Sequence, residues 1–111
     1  MPVQSFDDDA AETQHDTAAV HLVVLTGDVD IARLDELADL VDTFRHSQVP
    51  NVDVDLTQVD FLDSTGLGAI FRLRGIASAR GGRIRLLGPN RSVRRALELA
   101  GTTDLIEVSD G

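Results

Sequence analysis

Residues 59–69 read VDFLDSTGLGA, and this stretch joins a strand to a helix. Ser64 falls in the first helical turn, with Asp63 or Ser64 itself as N-cap. The helix runs to about Arg80, where Gly81-Gly82 stops it, and Ile70, Leu73 and Ala77 centre its buried face. Gly66 and Gly68 keep the backbone of the first turns accessible. Free N–H groups and the macrodipole make a helix start a favourable place for negative charge. A hydroxyl there can accept a phosphate. On spacing alone, a capping sequence and nothing more is the simpler reading of Asp63-Ser64-Thr65.

The pattern is regular on both sides of this junction. Residues 19–26 (AVHLVVLT) are β-rich and end at the turn signal Gly27. Asp30 can cap the helix that follows. In that helix Leu34, Leu37, Ala38, Val41 and Phe44 recur at helical spacing, while Asp35, Glu36, Asp39 and Asp42 face out. Pro50 and Asn51 close it, and residues 52–56 alternate apolar and acidic as a strand with one dry face. Beyond the junction, residues 83–87 form a third strand. Pro89-Asn90 and Ser92 open a third helix, with Val93, Ala96, Leu97 and Ala100 on one face and Gly101 as C-cap. Residues 105–108 make a short last strand or apolar tail. Strands alternating with helices predict an α/β fold, a mixed sheet of four to five strands with helices packed on it. The folded domain is expected over residues 19–111. Residues 1–18 hold a weak first strand or tail at 3–6 and an acidic segment at 7–18 expected to be flexible.

The chain has 111 residues and a mass of 12.0 kDa, the size of one domain. Its formal net charge is −9, all ten basic residues are Arg, and there is no Cys, Trp or Tyr. Without Cys there is no disulfide, thiolate nucleophile or Cys-based zinc site. Without Lys there is no Schiff-base chemistry and no P-loop. The acidity argues against nucleic acid as main partner, because phosphate neutralisation drives most of that affinity. The N-terminus has no signal-peptide pattern and the longest strongly apolar run is residues 22–25, so a cytoplasmic protein without a membrane span is expected. The charge is uneven. Residues 1–63 carry 15 acidic residues and 2 Arg, and residues 64–111 carry 4 acidic residues and 8 Arg.

The stretch DSTGLG, Asp63 to Gly68, resembles the signature of the STAS family, the anti-sigma factor antagonists of bacteria. Gly27-Asp28-Val29-Asp30 is similar to that family's loop after the second strand. Residues 52–56 followed by Phe61-Leu62-Asp63 are similar to the strand entering its switch. Residues 81–87 and 93–101 resemble its last strand and helix. The resemblance covers about residues 19–108 and implies a single STAS-like domain. It also implies a mechanism. Ser64 would be phosphorylated by a partner, an anti-sigma factor that is a serine kinase of the GHKL type. The unphosphorylated antagonist would bind that kinase and release a sigma factor. Phosphorylation would break the complex and a PP2C-type phosphatase would reset it. Asp28, Asp30, Asp63, Thr65, Gly66, Leu67 and Gly68 would form the switch loop and partner contacts, with no cofactor, no metal and no catalysis by the chain itself.

Elementary electrostatics is compatible with such a switch. A phosphate adds about −1.5 to −2 charges, and two unit charges about 4 Å apart interact by about 4 kcal/mol at a surface-like dielectric. A helix end offsets only about 0.3–2 kcal/mol of that. Asp28, Asp30, Asp60 and Asp63 are expected to cluster around Ser64. Phe71 projects near the margin of its helix's buried face, on the side of Ser64 with Leu67 between. Both are candidates for a docking patch, and both are equally candidates for the core. Competing readings are a STAS-type adaptor of a transporter or signalling complex, in which Ser64 is only a cap, and a small hydrolase, which lacks the G-x-S-x-G elbow. Asp28 and Asp30 alone make a poor metal site, and His15, His21 and His46 do not resemble a ligand set. Arg91, Arg94 and Arg95 read as a solvated helix face.

Overall fold

The computed structural model describes residues 19–101 and 107–109. Strand β1 (Val20–Val29) leads through a 3-10 turn (Ile31–Arg33) into α1 (Leu34–Ser47). Strand β2 (Asn51–Leu62), α2 (Ser64–Ala79), β3 (Ile84–Leu87), α3 (Arg91–Leu99) and β4 (Glu107–Ser109) follow. The four strands lie in chain order, β1-β2-β3-β4, and each neighbouring pair is parallel. The sheet was expected to be mixed; its described strands are all parallel. The expected strand at residues 3–6 and the acidic segment at 7–18 lie outside the described residues.

Strand order that follows chain order has a direct consequence. Parallel crossovers are right-handed, so helices wound always in one direction stack on one face of the sheet. The core lies between that face and the helices. Val23, Val54 and Leu86 are in register across three strands and all are buried. They pack with Leu37, Val41 and Phe44 of α1, Ile70, Leu73 and Ala77 of α2, and Val93 and Leu97 of α3. Burying each large side chain contributes about 1.5–3 kcal/mol before the entropy cost of ordering it. Leu34, expected at the core stripe of α1, is instead exposed. It begins the helix, before α1 has settled onto the sheet.

The opposite face carries no described helix. Leu22, Asp53 and Arg85 lie side by side on it. Asp53 is nearly buried at 8 % exposure, where Arg85 donates to it at 2.8 Å and Arg83 at 3.4 Å. The acidic alternation of residues 52–56 is therefore more than a wet side, because Asp53 ties β2 to β3.

Strands β1 and β2 run beyond the predicted limits, through Gly27 to Val29 and on to Leu62. Their register slips twice, between Val24 and Thr26 and between Gly27 and Asp28, and β2 gains a residue each time. Such bulges bend a strand and leave groups out of the ladder. Local side chains take up those groups. Asp55 Oδ1 accepts from the Thr57 N–H at 2.9 Å and its hydroxyl at 2.6 Å. Asn90 donates to the Val59 carbonyl at 3.1 Å. The same Asn90 accepts from the Val93 N–H at 2.8 Å, and so is the N-cap of α3, the position the sequence had spread over Pro89, Asn90 and Ser92.

Candidate switch site at the start of α2

The bulged ends of β1 and β2 leave the sheet together. Asp28 is in register with Phe61 and Val29 with Leu62, and the Asp63 N–H donates to the Val29 carbonyl at 3.2 Å. The two loops that the sequence singled out therefore meet at one end of the sheet. Gly27 makes the approach with φ +70, a left-handed conformation that favours glycine.

Asp63, not Ser64, is the N-cap of α2. Its Oδ1 accepts from Thr65 N–H at 2.8 Å and Gly66 N–H at 3.3 Å, a cap worth about 0.5–2 kcal/mol. Ser64 is the first helical residue and is exposed. Its hydroxyl has no hydrogen-bond partner among the described residues. Two of the helix-end N–H groups expected to welcome a phosphate are already held by the Asp63 carboxylate. A negative group on Ser64 would thus meet a carboxylate first and a depleted helix end second.

Asp30 likewise has a folding role. It caps the 3-10 turn, accepting from Ala32 N–H at 3.0 Å. Arg33 braces the same corner, donating to the Thr26 and Asp28 carbonyls at 2.7 and 2.9 Å. Its Nε meets Glu36 at 2.7 Å. That bond raises the Arg33 pKa and lowers that of Glu36. The Asp28 side chain is exposed and has no such task among the described residues.

The two glycines differ. Gly66 is buried, and a Cβ there would run into the Leu62 side chain and lie 3.0 Å from Val29 Cγ1. It lets α2 close against the ends of both strands. A Cβ on Gly68 would meet nothing within 4 Å, so the fold does not require a glycine there. Leu67 and Phe71 also part company. Leu67 is partly buried against the core, while Phe71 is 36 % exposed. Sequence reasoning did not anticipate two further exposed apolar residues. Ile31 is 72 % exposed and Phe61 48 % exposed, next in chain or in register to Asp30 and Asp28. Their flanking carboxylates were the available signal. An apolar residue on an acidic, capped turn is held away from the core.

Among the described residues no group of three or more His, Asp or Glu side chains could hold a metal ion, and no helix is long and apolar enough to cross a membrane. His21 lies against the Phe44 ring, centroids 5.4 Å apart, and His46 Nδ1 lies 2.8 Å from the Asp42 carbonyl.

A parallel sheet wound in one direction, with an exposed serine opening the helix after its second described strand, defines a small α/β module. Residues 12–107 match the family model described as "Mlab, STAS domain". The chain belongs to the STAS domain family. Anti-sigma-B factor antagonists of Staphylococcus epidermidis and Staphylococcus aureus are 27 % identical over 89 residues, spanning 80 % of this chain and 82 % of theirs. Among solved structures, a proposed anti-sigma factor antagonist of Thermotoga maritima superposes with TM-score 0.73 at 25 % identity, over 81 % of this chain and 80 % of that one. The unphosphorylated form of the anti-sigma factor antagonist SpoIIAA matches in fold, with TM-score 0.71 at 21 % identity over 86 % and 84 %.

Proposed function

We propose that the chain is an anti-sigma factor antagonist switched at Ser64. Unphosphorylated, it binds an anti-sigma factor that is a GHKL-type serine kinase, and a sigma factor is released. The kinase phosphorylates Ser64, the complex breaks, and a PP2C-type phosphatase restores the binding form. The chain is then a substrate and a binding module in the cytoplasm, not an enzyme. The observation that carries this reading is the Ser64 hydroxyl, exposed, without a partner among the described residues, and one position beyond a capping carboxylate. The names of the staphylococcal relatives support the antagonist role.

The division of labour at the site supports the same reading. Asp30, Asp63 and Gly66 have tasks in the fold. Asp28, Ser64, Gly68 and Phe71 have none among the described residues, and are assigned to partner contact, with Thr65 and Leu67 at its edge. Apolar Ile31, Phe61 and Phe71 supply contact area, and the carboxylates set the field. A phosphate brings about −1.5 to −2 charges into that field. The repulsion is a few kcal/mol at contact, enough to weaken binding by about 10- to 1,000-fold, since each 1.4 kcal/mol is tenfold. No large rearrangement is required.

Incubation with ATP and candidate anti-sigma kinases, followed by mass mapping, tests the proposal. Phosphate on Ser64 of the wild type and none on Ser64→Ala is the expected result. A second reading is a STAS-type adaptor in a transporter or signalling complex. In that case Ser64 completes the capped turn only, and the protein co-purifies with a membrane complex without modification.

A further inference from the structure

The helices lie side by side on one face of the sheet in the order α1, α2, α3, because strand order follows chain order and the crossovers share one hand. The outer faces of the two flanking helices carry opposite charge. On α1, Asp35, Asp39, Asp42 and His46 recur at spacings of three and four, opposite the buried Leu37, Val41 and Phe44. All four are exposed. Asp42 meets Arg45 only at 3.7 Å, with both side chains more than half exposed, a pair of little energetic weight. On α3, Arg91, Arg95 and Glu98 form the stripe opposite the buried Val93 and Leu97, and all three are exposed. Arg91 and Arg95 make no ion pair among the described residues. Leu99 beside them is 77 % exposed. Residues 19–101 and 107–109 hold 12 acidic residues and 10 Arg. This part of the chain is thus close to charge balance, with its two signs separated on the flanking helices.

The helices start at different heights. The Asp63 N–H donates to the Val29 carbonyl, so Asp30 and Asp63 stand level. These residues cap the turn before α1 and α2 itself. Asn90, the cap of α3, is instead bonded to the Val59 carbonyl, four residues before Asp63. A strand rises about 3.3 Å per residue and a helical turn about 5.4 Å. Allowing for the bulge and the reach of the Asn90 side chain, α3 starts about one to two turns lower than α2. That offset sets Arg91 level with Asp39, Arg95 with Asp42, and Glu98 with His46.

We propose that two copies of the chain pair helix layer to helix layer, about a two-fold axis parallel to the helices. Such an axis carries α1 of each copy onto α3 of the other without changing height or direction, and sets α2 against α2. Arg91 then meets Asp39, Arg95 meets Asp42 and Glu98 meets His46, each contact made twice, as two-fold symmetry requires. Leu99 gives each contact an apolar edge. Arg72 faces its own copy across the axis. Gly68 and Gly75, where a Cβ would meet nothing within 4 Å, leave its side chain room to turn aside. Surface ion pairs are individually weak and screened by salt, so the pair forms at high protein concentration and low salt. Complementary charge fixes its orientation more than its strength.

Sedimentation velocity of the full chain over a concentration series tests this. The wild type should reach a dimer and no larger species at about 0.01 M salt, and return to monomer at about 1 M, where the screening length falls from about 30 Å to about 3 Å. One variant carries Asp39→Arg and Asp42→Arg, the other Arg91→Glu and Arg95→Glu. Each alone should be monomeric at every salt concentration, with an unchanged circular dichroism spectrum. Mixed in equal amounts they should dimerise again, because each reversed ridge then meets its opposite. Amide spectra of the wild type, which need no substitution, should show concentration-dependent shifts on α1 and α3 and none on Leu22 or Val24. A wild type that stays monomeric at low salt would overturn the proposal. So would species growing beyond the dimer, self-association indifferent to salt or to either reversal, or a mixture that fails to restore it.

Discussion

At the start of α2, adjacent residues with similar chemistry serve different ends. Asp63 caps the helix, and Ser64 beside it bonds to nothing among the described residues. Gly66 is required by close packing and Gly68 by nothing in the fold. The pair of glycines therefore makes a sharp comparison. Gly66→Ala should destabilise the protein by about 1–3 kcal/mol, the usual effect of overpacking, because Leu62 and Val29 must give way. Gly68→Ala should stabilise it by up to about 1 kcal/mol through helix propensity, yet weaken partner binding. Chemical denaturation separates the two. Equal effects would mean that the first turn of α2 is not packed as described. Phe71→Ser tests the docking patch in the same spirit. It should leave the protein folded, at a cost of about 1 kcal/mol in unfolding free energy, while lowering affinity for the kinase. Loss of the folded circular dichroism signal would place Phe71 in the core instead.

Among the elements, the bulged ends of β1 and β2 position the site. Asn90 is the hinge of this arrangement, capping α3 with its oxygen and holding the Val59 carbonyl with its amide. Asn90→Ala should cost about 1–3 kcal/mol by thermal or urea unfolding, from the lost cap and an unsatisfied carbonyl. A cost near zero would show that water replaces both contacts. This scale also marks where the sequence was legible. The three helices and the order of elements followed from apolar spacing and from Gly, Pro and Asn punctuation. The α2 boundaries, Ser64 to Ala79, came out almost unchanged, because Asp63 and Gly81-Gly82 are strong local signals. The strand ends were not legible. Periodicity fades where a bulge breaks alternation, so Gly27 read as a stop although β1 continues to Val29. Leu34 and Phe61 read as apolar without revealing that both are exposed. Ser64 was legible as a position and through resemblance, whereas its lack of a partner among the described residues and the capture of the helix end by Asp63 required the structure.

Across the whole molecule, the winding of the sheet turns a sequence property into a spatial one. Because strand order follows chain order, the acidic first part of the chain forms the β1–α1 side and the Arg-rich part the β3–α3 side. Asp53 joins them through Arg83 and Arg85. Acid should be felt where carboxylates are bonded in the fold. Asp55 titrates below its ordinary 3.8, chiefly through the Thr57 hydroxyl and then its N–H. Glu36 titrates below its ordinary 4.5 through Arg33. Lowered values stabilise the fold above the unfolded pKa, and this contribution is lost as pH falls through the folded pKa. Stability should therefore hold between about pH 7 and 5 and fall below about pH 4. Asp55→Asn should be less stable than wild type at neutral pH, with the difference closing in acid. A difference independent of pH would remove the Asp55 carboxylate from this role.

The most direct measurement of the central claim is binding to the purified partner kinase before and after phosphorylation, with Ser64→Ala and Ser64→Asp alongside. The account predicts tight binding by the unmodified protein and by Ser64→Ala. It predicts binding weakened at least tenfold, about 1.4 kcal/mol, by phosphate on Ser64, with Ser64→Asp weakened in the same direction. Equal affinity of the phosphorylated and unphosphorylated protein, or phosphate that maps to another residue, would contradict it.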